Sequence, residues 1–186
     1  MTRFLDKKHR QSIRARNRDY AKPGHYFITI CVKDQECLLG EVVDEEMELW
    51  NFGGIVQNVW DNLPKHYKHI DLDAFVIMPN HIHGIIRIKP EPQQRANVGA
   101  GFAEGTTESG KPAPTLRRHP LSEIIRALKS FSSRRINKIR KTPGRPFWQR
   151  NYYERVLRRH EINRYRCYIR NNPLNWTSDP EHPDNS

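Results

Sequence analysis

The order of apolar and polar positions along this chain predicts its elements one after another. HYFITICVK (25–33) is a run of aromatic and β-branched residues and predicts the first strand. CLLGEVVDEEMELW (37–50) reads as a short hairpin or extended return. After Asn51, Ile55, Val59, Trp60 and Leu63 recur at helical spacing, and Pro64 is expected to end that first helix. In IDLDAFVIMPNHIHGIIRI (70–88) two hydrophobic runs flank the turn dipeptide Pro79-Asn80, which predicts a β-hairpin. Leu121, Ile124, Ile125, Leu128, Phe131, Ile136 and Ile139 trace one face of a second helix, and Arg126, Ser130, Ser133, Asn137 and Lys141 trace another. TPGRP (142–146) breaks it. PFWQRNYYERVLRR (146–159) then reads as a strand or extended ribbon, and HEINRYRCYIRNN (160–172) as a last helix stopped by Pro173. This order approximates a βαββαβ ferredoxin-like antiparallel sheet of the α+β class with an additional C-terminal helix.

The length of 186 residues fits one domain, expected over 25–176. A basic arm (1–24) precedes it and an acidic tail (177–186) follows. Residues 89–119, rich in Gly, Pro, Thr and Ser and poor in core formers, are expected to form a flexible insertion rather than a domain boundary. No run approaches the length of a membrane helix, the opening MTRFLDKKHRQSIRAR lacks the apolar run of a secretory signal, and the three cysteines show no CxxC pairing. The expectation is a cytoplasmic protein with reduced thiols and no disulfide or zinc-ribbon staple.

Charge sharpens this picture. The formal net charge is +11, and it is segregated: 1–24 carries 8 basic and 2 acidic residues, 25–89 carries 5 and 10, and 120–170 carries 15 and 3. Two basic segments around an acidic middle suit a groove that holds phosphates better than a surface charged only for solubility. Arg126, Lys129, Arg134 and Lys138 on the second helix, with Arg150, are the expected phosphate contacts, while Trp148, Phe147, Tyr152 and Tyr153 could stack unpaired bases. Core packing is the competing reading for those aromatics.

Candidate chemistry sits in two places. In a strand, His81 and His83 point to one face while Ile82, Gly84, Ile86 and Ile88 point to the other, so two imidazoles can meet one metal. On the last helix Tyr168 and Asn172 are four apart and share a face with Tyr165. An amide oxygen beside a phenol could add a third ligand next to a nucleophile, and such a mixed N/O set suits Mg²⁺ or Mn²⁺. Half-buried strand histidines, a core tyrosine and a helix-end asparagine are the bland alternatives.

Taken together and in order, MPNHIHGII, RPFWQRNYYERVLR and YIRNNPLNW resemble the signatures of single-tyrosine transposases with a His-hydrophobic-His motif, the HUH class. Within that class the chain most resembles the REP-associated tyrosine transposases, from about Ser12 to Trp176, interrupted chiefly by 89–119. The resemblance implies that His81 and His83 are metal ligands, Asn172 the third ligand, and Tyr168, the tyrosine of YIxxNP, the nucleophile on the C-terminal helix. It implies a metal-dependent transesterase that cuts and rejoins single-stranded, hairpin or REP-type DNA through a 5′-phosphotyrosine link. It leaves open whether the protein is a monomer or a homodimer. A non-catalytic nucleic-acid-binding descendant, and a phosphodiesterase using activated water, are the two competing functions.

Overall fold

The computed structural model describes residues 22–90 and 119–185. Most of the basic arm and nearly all of the 89–119 segment lie outside the described residues. Six strands and three helices follow one another: β1 (Gly24–Cys31), β2 (Gly40–Val43), β3 (Glu46–Leu49), α1 (Asn51–His66), β4 (Ile70–Ile77), β5 (His81–Ile88), α2 (Leu121–Arg140), β6 (Tyr153–Leu157) and α3 (Ile162–Arg170). The main sheet runs β4-β5-β1-β6 with every neighbouring pair antiparallel. Leaving out the β2–β3 hairpin and α3, this is the βαββαβ arrangement that the order of hydrophobic runs predicts. The β2–β3 hairpin stands apart as its own two-stranded sheet, turning on Asp44 and Glu45, both at positive φ, as a two-residue hairpin loop requires.

Alternation sorts the sheet's two faces. Tyr26, Ile28 and Ile30 of β1 and Ile82, Ile86 and Ile88 of β5 join Val56, Val59, Trp60 and Leu63 of α1 and Ile124, Ile125, Leu128 and Ile136 of α2 in the main core. Gly84 belongs to this face for steric reasons, because a Cβ there would lie 2.4 Å from the Trp60 indole. The opposite face carries Phe27, Ile85 and Leu157, against which α3 lays Ile162, Tyr165, Tyr168 and Ile169.

Several boundaries differ from expectation. Helix α1 continues through Pro64 to His66; a proline in the last turn gives up one helical bond, and Leu63 is buried beneath it. On α2, Phe131 and Ile139 are exposed, because the apolar stripe is wider than the surface it covers, and Asn137 is buried, giving its amide to the Arg145 carbonyl at 2.6 Å. Phe131 instead lies 6.4 Å from the His66 ring with the Arg134 guanidinium over it. The ribbon expected over 146–159 is a strand only from Tyr153. Before it, Phe147 and Trp148 turn into the main core, with a single bridge between Trp148 and Val32.

Candidate metal centre

His81 and His83 open β5, immediately after the Pro79-Asn80 turn. Their cross-strand partners are Cys31 and Thr29 of β1. Both imidazoles project to the α3 face and both are buried, at 0% and 1% exposure. Each ring is held at Nδ1. Asn80 Oδ1 lies 2.8 Å from His81 Nδ1, and Thr29 Oγ1 lies 2.8 Å from His83 Nδ1. An amide oxygen can only accept, so His81 carries its proton on Nδ1 and turns the Nε2 lone pair inward. The two Nε2 atoms approach to 3.0 Å.

The electrostatics keep both rings neutral. Burial pushes the pKa of His81 down to about 3, and burial together with the neighbouring His81 pushes His83 well below its ordinary value. Neutral imidazoles with Nδ1 engaged and Nε2 converging are metal-ready ligands.

Tyr168 stands over this pair from α3. Its hydroxyl lies 3.3 Å from His83 Nε2 and can donate to it, and its ring centroid is 5.2 Å from that imidazole. Burial, and then the Asp179 carboxylate, raise the phenol's pKa above 10, with the Asn172 amide opposing them. The other candidate tyrosines stand elsewhere. Tyr165 packs on Phe27 with 4.7 Å between centroids and lies beneath the Arg155 guanidinium, and Tyr153 meets the edge of Phe27. Tyr152 packs against the main core.

A third donor comes from a residue that the sequence reading assigned to the acidic tail. After α3 the chain makes a 3-10 turn, Pro173–Ser178, and brings Asp179 into the site with 4% of its surface exposed. One oxygen of Asp179 and one nitrogen of each histidine lie within 4.8 Å of one another. Asn172, expected as the third ligand, donates its amide to Asp179 Oδ2 at 3.1 Å, while its own Oδ1 is buried with no hydrogen-bond partner. Asp179 is thus a carboxylate beside the histidines that the sequence did not point to, and Asn172, which orients it, keeps a free oxygen at the same place. Two imidazoles, a carboxylate and an orphaned buried amide oxygen form a donor set that fits a divalent cation. The same segment closes the site, since Asn80 donates to the Glu181 carbonyl at 2.6 Å and Trp176 stands 6.1 Å from the His81 ring. Aspartate in an acidic stretch gave no periodic signal.

The expected phosphate contacts divide. Arg126, Arg134, Lys138 and Arg150 are exposed. Arg134 borders an open cavity of about 500 Å³ with Ser130, Ser133, Lys138, Lys141 and Arg145. Lys129 does not join them. Its ammonium is turned to the carbonyls of Gln149 and, at 3.0 Å, Arg150, and burial lowers its pKa to about 8, so it ties α2 to the lead-in of β6. Trp148 is no stacking platform either, because its ring is buried and its N–H donates to Ser132 Oγ at 2.9 Å.

No family model matches the chain. An uncharacterized protein of Haemophilus influenzae is 34% identical over 178 residues, spanning 95% of this chain and 94% of that one. Among solved structures, a REP-associated tyrosine transposase bound to a REP hairpin is similar, with a TM-score of 0.53 and 17% identity, over 86% of this chain and 72% of that one. At such an identity the likeness is one of fold. Among the described residues no helix is long and apolar enough to cross a membrane.

Proposed function

We propose, for a chain that belongs to one family with the Haemophilus influenzae protein and has the fold of a REP-associated tyrosine transposase, that it is a metal-dependent single-strand DNA transesterase. In this reading it cuts and rejoins hairpin or REP-type DNA through a 5′-phosphotyrosine intermediate. The observation that carries the reading is the Tyr168 hydroxyl 3.3 Å from His83 Nε2, beside a second imidazole and a buried carboxylate. A nucleophile against a metal-ready pair is what phosphoryl transfer without water needs.

His81, His83 and Asp179 would hold a divalent ion, Mg²⁺ or Mn²⁺, with Asn172 orienting the carboxylate through its amide N–H and offering Oδ1 as a further ligand. When bound, that ion supplies Lewis-acid polarisation of the scissile phosphate. Asn80 and Thr29 hold the two rings so that their Nε2 atoms converge. Tyr168, half-buried, holds its oxygen 3.3 Å from His83 Nε2. The bond from its phenolic oxygen to phosphorus forms as the bond from phosphorus to the 3′ oxygen breaks. The phenolic proton is formally handed to the departing 3′ oxygen, and the ester energy is kept for rejoining. The exposed cations Arg126, Arg134, Lys138 and Arg150 would track the strand's phosphates.

Incubating the full chain with single-stranded hairpin DNA and Mn²⁺, then resolving the products on a denaturing gel, tests the proposal. It predicts a covalent protein–DNA adduct that EDTA abolishes. Unaltered DNA would favour the non-catalytic binding protein, and cleaved DNA without adduct the water-activating phosphodiesterase.

A further inference from the structure

A second polar cluster stands beside Tyr168, on the side of α3 that faces the edge strand β4. It begins with an irregularity in that strand. Leu72 pairs with Ile86 and Phe75 with Gly84, so Asp73 and Ala74 together oppose the single residue Ile85. The extra residue is a β-bulge, and it re-aims Asp73 toward α3. There Asp73 meets Arg166: Nε donates to Oδ1 at 2.9 Å and Nη2 to Oδ2 at 2.8 Å. The Ala74 N–H donates to Asp73 Oδ1 as well, at 2.9 Å. Arg166 Nη1 donates to Asn163 Oδ1 at 3.0 Å.

A guanidinium has five N–H groups, and these contacts use three. One N–H remains on each terminal nitrogen, on a group whose plane and direction are fixed by the Asp73 clamp. The guanidinium borders an open cavity of about 620 Å³ between β4 and α3, whose other walls are Ala74, Phe75, Ile169 and Arg170. Arg166, Ile169 and Arg170 lie within a turn of Tyr168 on α3.

We propose that this cleft is a nucleobase site in which Arg166, clamped by Asp73, reads an unpaired guanine of the DNA strand next to the scissile phosphate. The inference rests on the proposed DNA reading and adds its base specificity. Two N–H groups on one planar cation match the O6 and N7 acceptors of guanine, a pair that adenine and thymine lack, and the O2 and N3 edge of an unpaired cytosine is the competing guest. A phosphate would be the weaker guest, because the Asp73 carboxylate already offsets the charge of Arg166. Ala74 and the outer part of Phe75, whose ring is stacked on Trp60 from the core side, offer apolar surface to a base above the buried Ile169, while exposed Arg170 stands ready for the adjoining phosphate.

Binding of the full chain to oligothymidylates, measured by fluorescence anisotropy in EDTA, tests this. A single guanine is placed at each position in turn, then replaced there by 7-deazaguanine or adenine. Guanine at one position should tighten binding about tenfold over thymine, and 7-deazaguanine, which lacks N7, should not. Arg166→Ala and Arg166→Lys should both erase that preference while leaving affinity for pure oligothymidylate within about twofold of wild type. Asp73→Asn should erase it too, although Arg166 keeps its charge. Equal weakening on every strand would mean a phosphate contact and overturn the proposal. So would a guanine preference that survives in Arg166→Ala, or the absence of any preference in the wild type. Arg166 is partly exposed, so its variants should fold, which thermal melting checks. Because binding is read in EDTA, failure of the base site and failure to form a tyrosine adduct are separate results.

Discussion

Thr29→Val should disarm the metal centre without touching a ligand. Thr29 Oγ1 lies 2.8 Å from His83 Nδ1, and holding the ring's proton there leaves Nε2 bare. Valine keeps nearly the same shape and removes the hydroxyl. The neutral ring can then move its proton to Nε2, where His81 Nε2, 3.0 Å away, accepts it. That swap restores one hydrogen bond and orphans only an acceptor, so the stability cost should sit near the low end for a buried unsatisfied group, about 1 kcal/mol. The cost to metal binding should be larger, because the proton now occupies the space between the two ligands. Losing a partner that orients a ligating histidine costs about 10- to 100-fold in metal affinity. Titration calorimetry with Mn²⁺ gives the affinity, and ¹⁵N chemical shifts of the imidazoles report the tautomer. Equal Mn²⁺ affinity in the two proteins would refute the reasoning, as would a wild-type His83 already protonated on Nε2.

The remaining predictions concern packing, charge and the second cluster. Gly84→Ala would place a methyl 2.4 Å from a buried indole that is itself stacked on Phe75, and should cost about 1–3 kcal/mol in urea unfolding; a neutral result would mean that Trp60 can move. Neutralising Arg126, Arg134, Lys138 and Arg150 together should lower the slope of log affinity against log salt for single strands by about 3, at roughly 0.7 per phosphate contact; an unchanged slope would mean that the strand runs elsewhere. The carboxyl of Asp73 is held below 3.8, first by its hydrogen bond from Arg166, with burial opposing and the nearby charges of Arg166 and His25 adding to the lowering. A depressed folded value means that this contribution is present above the unfolded pKa and is lost as pH falls through the folded one. The urea midpoints of wild type and Asp73→Asn should therefore differ at neutral pH and converge in acid, whereas a constant gap would leave the ion pair no part in it.

What could be read in advance was whatever period and turn chemistry control. The hydrophobic runs, Pro79-Asn80 and the alternation around Gly84 placed β1, β4, β5 and the faces of His81 and His83, because strand geometry leaves those side chains no other direction. The four-residue spacing put Tyr168 and Asn172 on one side of α3 for the same kind of reason. Contacts between segments distant in the chain were not legible. Asp179 reaches the histidines only because the chain turns back after Pro173, and an acidic stretch near a terminus looks the same whether it folds back or not. Lys129 and Trp148 show the converse: composition marks a cation and an aromatic as surface ligands, yet a row of free carbonyls ahead of β6 captures one and Ser132 the other. The Asp73 bulge was hidden because Ala74 to Ile77 are all apolar, which masks the inverted phase that one inserted residue gives an alternating pattern.

The central claim is that Tyr168 attacks the strand, and peptide mapping of the trapped adduct by mass spectrometry tests it most directly. Wild-type protein incubated with single-stranded hairpin DNA and Mn²⁺ should carry the nucleotide on the peptide containing Tyr168, and Tyr168→Phe, which removes one hydroxyl from a partly exposed position, should form no adduct while binding the DNA as tightly as before. A nucleotide found on Tyr165, Tyr152 or Tyr153, or strand cleavage at the wild-type rate by Tyr168→Phe, would contradict it.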